Sequence, residues 1–326
     1  MKSIHALRSL LICALLVTQA PSFAQDNFPN KPVKVIVPFP PGGGVDVIAR
    51  MVGNKLSTDW SQPVVMDNKP GAGTLIGAHA VATAPADGYT LLAATADTLA
   101  VAAALQSKPI TLPEKTLLPL TQIVRTPLLI AVKLDSPYKN LADFIEAARK
   151  NPGRLSYGSA GIGTIHHMSM EGLADQAKVD IKHVAYRGSG PAVADLLAGV
   201  IDVAMLESPT ALPQIKGGKL RALGISTPAR AAVAPEVPTI AEQGFPNFSA
   251  ISWMGFAVAK GTPPAIVEKL FAGIRDAIES LDVSQKLRAM GLEPVTSKST
   301  AEFERFAETE RVRWAALIKA KNIHVD

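Results

Sequence analysis

Val33, Val35, Ile36 and Val37 form a β-branched apolar run, interrupted only by Lys34 and short enough for a buried strand. Prolines close the run, and Gly42-Gly43-Gly44 follow, so the chain turns with its amides bare of side chains. Apolar residues then recur at Val47, Ile48, Met51, Val52 and Leu56, on about half of a helical cylinder. A strand, a glycine turn and a helix start put unpaired N–H groups and the positive end of a helix dipole where an anion can sit. The arrangement returns, different in detail, at Ser156–Met168. Two anion cradles on one chain suggest a pincer.

The same reading predicts strands at Pro63–Met66, Tyr89–Ala94, Leu128–Val132, Leu155–Gly158, Lys178–Ala185, Val203–Leu206, Leu220–Ile225 and Ile251–Ala259. It predicts helices at Thr74–Thr83, Leu141–Lys150, from about Ile165, and at Pro191–Ala198, Pro263–Ser280 and Ser299–Lys321. Asn140 caps the Leu141 helix, and Asn151-Pro152-Gly153 stops it. Thr95–Thr98 reads as a polar loop, and Pro109–Pro119, with three prolines, as irregular. Alternating strands and helices predict an α/β fold of parallel sheets covered by helices. No fixed repeat or low-complexity linker divides the chain, so two domains would have to be joined by strands that cross.

A length of 326 residues, 48% of them hydrophobic, is enough for more than one domain. The start stands apart from any core. Lys2 and Arg8, the apolar stretch Leu10–Val17 and the Ser22-Phe23-Ala24 site read as a secretory signal peptide over residues 1–24, too short in its apolar part to span a membrane. Cys13, the only cysteine, lies inside it behind the bulky Leu11 and Ile12, which argues against a lipid anchor; the mature chain would carry no disulfide. Without that leader, 31 basic and 28 acidic side chains leave a net charge of +3. No run of Lys or Arg accompanies it, which speaks against nucleic acid. The composition fits an exported protein that does not span the membrane.

Several turns carry candidate chemistry. The glycines at 42–44 match neither a dinucleotide fingerprint, whose third glycine is Val47 here, nor a P-loop. Asp46 at the helix start either shapes the loop or accepts from a ligand amine. In the second cradle Ser159 invites a nucleophilic reading with His166 or His167 as base, but G-x-S-x-G is missing. Adjacent histidines on a helix diverge by ~100°, so this pair makes a poor metal site. His167 near the loop mouth could hydrogen-bond a ligand. Arg187, in a third turn, offers a fork for carboxylates. Asp97 and Glu207 follow strands, where open α/β sheets bind ligands; each would repel a carboxylate and suit an amine. No cofactor is indicated.

Val35–Asp46, Asn68–Gly73, Ala86–Leu92, Gly158–His167, Tyr186–Pro191, Lys219–Gly224 and Pro235–Gly244, taken together and in order, resemble the periplasmic solute receptors of the tripartite tricarboxylate transporter family, the Bug receptors. The resemblance runs from about Pro32 to the C-terminus. It implies a two-domain Venus-flytrap of the type II periplasmic binding protein kind, with two crossing strands as hinge. Residues 25–125 plus 250–326 would form one domain and 126–249 the other. A small carboxylate (dicarboxylate, tricarboxylate, amino acid or aromatic acid) would be held by Phe39, Pro41, Gly42, Gly43, Gly44 and Asp46 on one jaw and Ser159, Ala160, Gly161, Gly163 and Thr164 on the other. Thr95 and Asp97 would line the floor on one side and Glu207 on the other. The implied protein is a periplasmic monomer that serves a membrane transporter and is not an enzyme. Two other classes stay open on the residues alone: an exported hydrolase using Ser159, and a receptor that reports ligand to a membrane sensor.

Overall fold

The computed structural model describes residues 28–324; the leader read at residues 1–24 lies outside the described residues. Its strands are β1 (Val33–Val37), β2 (Val64–Asn68), β3 (Thr90–Thr95), β4 (Leu117–Lys133), β5 (Ser156–Ser159), β6 (Lys182–Ala185), β7 (Val203–Glu207), β8 (Leu220–Ile225), β9 (Ile251–Ala259) and β10 (Glu293–Pro294). The longer helices are α1 (Gly44–Trp60), α2 (Leu75–Ala82), α3 (Leu141–Lys150), α4 (Ile165–Ala177), α5 (Ser189–Ala198), α6 (Ser208–Lys216), α7 (Pro264–Glu279), α8 (Leu281–Ala289) and α9 (Thr300–Lys321). The strand order is β2-β1-β3-β9-β4-β7-β5-β6, with β8 and β10 also paired to β4.

Pairing is parallel within each wing, β1 with β2 and β3, and β5 with β6 and β7. It is antiparallel wherever β4 or β9 takes part. The expectation of parallel sheets therefore gives way to a mixed one. The reason is β4, which is also far longer than the expected Leu128–Val132. Its residues 117–127 pair with β9, and 128–133 pair with β7 and β8, so one strand threads both wings. Pro119 is tolerated beside a register shift between Pro119 and Thr121, and Pro127 sits where β4 changes partners. Of the stretch expected to be irregular, Pro113–Thr116 is a helical turn and Leu117–Pro119 already belongs to β4.

Side chains alternate across both wings. Val33, Val35 and Val37 join one buried cluster with α1 and α7, whereas Ile36 joins another with α2. In the second wing Leu128, Ile130 and Val132 face that same second cluster, while Leu129 and Ala131 face a third under α5 and α6. Helix starts follow their caps: the Asn140 side chain accepts from the Asp143 N–H at 2.9 Å, and Ser299 from the Glu302 N–H at 3.2 Å. The expected strand at Lys178–Ala185 is shortened to β6, because Lys178 ends α4 in the left-handed conformation (φ 53°). Thr95–Thr98 is no open loop; from Asp97 the chain winds into a buried π turn, Asp97–Val101. α8 and β10 had no counterpart in the sequence reading.

Where the wings meet, fully buried Ser226 clips three segments together. Its hydroxyl accepts from the Leu128 N–H at 3.1 Å and donates to the Ala250 carbonyl, and its own N–H donates to the Leu128 carbonyl at 2.9 Å. Ser226→Ala leaves a buried N–H without its partner, and the expected loss is about 1–3 kcal/mol. Urea unfolding measures it; a midpoint within error of the parent would show that the clip is dispensable.

Candidate ligand cleft

The first jaw is the turn between β1 and α1. Gly42, with φ +82°, donates its N–H to Asp46 Oδ2 at 2.9 Å. The Asp46 carboxylate is buried and also takes Arg50 Nε at 2.9 Å and Asn68 Nδ2 at 2.9 Å, while Asn68 holds the Phe39 carbonyl at 3.0 Å. The Arg50 hydrogen bond is the chief reason that the Asp46 pKa falls to about 2. Asp46 thus folds the loop back on itself, the first of the two roles open to it in the sequence. Gly43 is the N-cap of α1 and brings no side chain to it, so the first-turn amides have no side-chain cap. Pro40–Gly44 are exposed, and of these only Pro40 lines the space between the jaws.

The second jaw, between β5 and α4, is built on a different principle: its amides are largely spoken for. The Gly161 N–H donates to Ser159 Oγ at 3.1 Å, the Gly163 N–H to His167 Nδ1 at 3.1 Å, and the Thr164 N–H to the Gly161 carbonyl at 3.3 Å. The Ile165 N–H, at the start of α4, donates to Asp97 Oδ1 at 3.0 Å, from the opposite wing. Gly163 has φ +76°, and a Cβ there would stand 2.2 Å from Leu105 Cδ1, so only glycine lets the wings approach this closely.

Between the jaws lies a cavity of about 500 Å³ lined by residues of both wings, Phe39, Asp97, Gly163 and Thr164 among them. Ser159 and His167 are buried beneath the second loop, and Thr95 turns its hydroxyl inward to Thr98 at 3.1 Å. Arg187 is exposed and does not line the cavity. The sequence reading missed a wall made by Gly71–Thr74 with Ala102, Leu105 and Gln106. Its signal was the run Lys69-Pro-Gly-Ala-Gly, read only as a turn.

Burial governs the titratable groups here. The Asp97 pKa rises to about 6 by desolvation, opposed by nearby His166, and that of Glu207 rises for the same first reason. His166, His167 and His183 are each lowered to about 4, chiefly by burial. His167 must be neutral to accept from Gly163, and it stacks on His183 with centroids 4.0 Å apart. His183 Nε2 lies 2.7 Å from Ser159 Oγ, but that serine is fully buried, so no substrate reaches it. Among the described residues no group of three His, Cys, Asp or Glu could hold a metal ion, and no helix is long and apolar enough to cross a membrane.

Two sheet wings on a shared strand, with a cavity between strand-to-helix turns, define a two-lobed solute-binding protein. Residues 48–323 match the Tripartite tricarboxylate transporter family receptor, and the chain belongs to that family, whose members are receptors and not enzymes. It is 40% identical to the UPF0065 protein in the tcbD-tcbE intergenic region of Pseudomonas sp. (strain P51), over 95% of this chain and 93% of the relative. It is 35% identical to Protein BugT of Bordetella pertussis, over 90% of each. Among solved structures, R. palustris Rpa4515 with adipate superposes with a TM-score of 0.82 at 33% identity, covering 91% of this chain and 99% of that one. MatC from Rhodopseudomonas palustris with bound malate gives 0.78 at 31%, covering 89% and 100%.

Acid should loosen the second jaw. A histidine lowered by folding costs stability as pH falls from the unfolded value, about 6.5, toward about 4, because only the unfolded chain takes the proton. His166 behaves likewise, but Asp97 takes a proton over much the same window and offsets it. His167 and His183 remain as the groups that lose stability, while Glu207 and Glu293, raised by burial, act in the opposite sense. The thermal midpoint is therefore expected to fall between pH 6.5 and pH 4, less steeply in His183→Gln; a flat or rising profile in the parent would refute this account.

Proposed function

We propose that the chain is a periplasmic receptor that captures a small carboxylate between the two loops and hands it to a membrane transporter of the tripartite tricarboxylate type. The observation that carries this is the uncapped start of α1. It presents backbone N–H groups and a helix dipole just past Pro40, which lines a cavity whose lining includes no lysine or arginine. The adipate and malate held by the two Rhodopseudomonas neighbours support the ligand class. On this reading residues 1–24 direct export and are removed. Residues 25–125 with 250–326 form one lobe and 126–249 the other, the chain acts as a monomer, and ligand draws the lobes together because it touches both jaws.

Mass spectrometry of the small molecules released on denaturing the protein purified from the periplasm should find a carboxylic acid. Gly43→Val tests the jaw. Gly43 has φ −72°, and an added Cβ would meet only the Pro40 carbonyl, at 3.6 Å, so the fold accepts the side chain while the cradle loses access to its amides. Calorimetry with the released acid is expected to show about a 10- to 100-fold loss, the worth of one hydrogen bond to a charged group. Unchanged affinity would remove the first jaw from the site.

A further inference from the structure

The second jaw already holds a carboxylate, and it belongs to the protein. Asp97 leaves the C-terminal end of β3, crosses the cleft and accepts the Ile165 N–H at 3.0 Å, at the helix start where an incoming anion would otherwise sit. The neighbouring amides of Gly161, Gly163 and Thr164 are paired within the loop. Glu207 adds a second acid, its Oε1 3.8 Å from Nε2 of His166, and both nitrogens of that buried imidazole lack a hydrogen-bond partner.

A separate observation points to a ligand in the same cavity. Thr74 lines it, is 6% exposed, and has a hydroxyl with no partner. Its φ of +86° is a left-handed value that a β-branched residue rarely adopts, and such strain persists at ligand clamps. The hydroxyl can give or take one hydrogen bond, whereas Phe39, Leu105 and Ile162, elsewhere in the same lining, offer only apolar surface.

We propose that Asp97 fills the anion seat of the second jaw and thereby makes the cleft select a ligand with a single carboxylate, its far end uncharged or cationic, over dicarboxylates. The ligand's carboxylate meets the α1 amides, its body lies on the apolar wall, and its far end faces Thr74 and Asp97. A second carboxylate would stand beside a like charge with no cation to offset it. The assignment rests on the receptor reading above.

Hexanoate, 6-aminohexanoate and adipate share a chain length and differ only at the far end. In calorimetry the protein is expected to bind the better of the first two at least about tenfold more tightly than adipate, a gap that one desolvated like-charge pair can supply. Asp97→Ala frees the Ile165 amide and should reverse the preference. Asp97→Asn keeps an acceptor for that amide without its charge and should narrow the gap; if the alanine variant fails to fold, the asparagine variant decides. Adipate binding the parent as tightly as the monocarboxylates, or a ratio that neither variant moves, overturns the assignment while leaving the receptor reading in place. A thermal-shift panel of mono-, amino- and dicarboxylates of four to eight carbons separates the two failures. If no member binds the parent or either variant, the receptor reading falls and the inference with it.

Discussion

Everything in this molecule hangs on one strand. β4 gives its first eleven residues to the wing of β1, β3 and β9 and its remainder to the wing of β5, β7 and β8. The strand order places β3 two positions from it on one side and β5 two positions on the other. Asp97 follows the first and the Ser159 loop follows the second, so their meeting across the cleft is set by sheet topology. A rotation of one wing against the other must be absorbed where β4 changes partners, beside Pro127 and under the Ser226 clip. α9 lies behind this point: its buried face packs on β4, on Trp253 and on the Asp97–Val101 turn, and its Lys321 reaches Asp175 of α4 at 3.2 Å.

The two jaws solve the same problem in opposite ways. A strand-to-helix turn leaves several N–H groups without partners, and these must find acceptors in the protein, in water or in a ligand. In the first jaw one carboxylate, Asp46, is spent on a single loop amide, and Arg50 from the next turn of α1 offsets its charge. The other first-turn amides stay uncapped. In the second jaw the protein's own groups take the amides of Gly161, Gly163, Thr164 and His167, and Asp97 from the far wing takes that of Ile165. The site is therefore polarised along its length, with donors at one end and an acceptor at the other.

Much of this was legible in the chain, for reasons that can be named. β1, α1, α3 and α9 carry strong local signals: a β-branched run, an apolar face, an Asn or Ser cap with its partner three residues on. The glycine cradles were found because glycine is demanded where φ is positive and space is short, as at Gly163. β4 was truncated in the reading because its prolines weigh against a strand, and a central strand that changes partners is invisible to local patterns. Asp97 stood out as an acid after a strand, but its partner lies 68 residues away, and no spacing rule reports a contact made by two wings meeting. Thr74 was missed for a related reason: a threonine held at positive φ is imposed by its surroundings and leaves no mark in composition.

Asp97 and the buried imidazole of His166 are shifted in opposite directions by one cause. Burial penalises charge, so the Asp97 carboxyl is raised and the His166 imidazole is lowered. Any opening that hydrates both returns them toward their ordinary values, so that the carboxyl gives up a proton more readily and the imidazole takes one more readily. The two changes act on proton uptake in opposite senses. Within this pair, the Ile165 hydrogen bond and whatever fills the cavity therefore bear directly on the balance between open and closed.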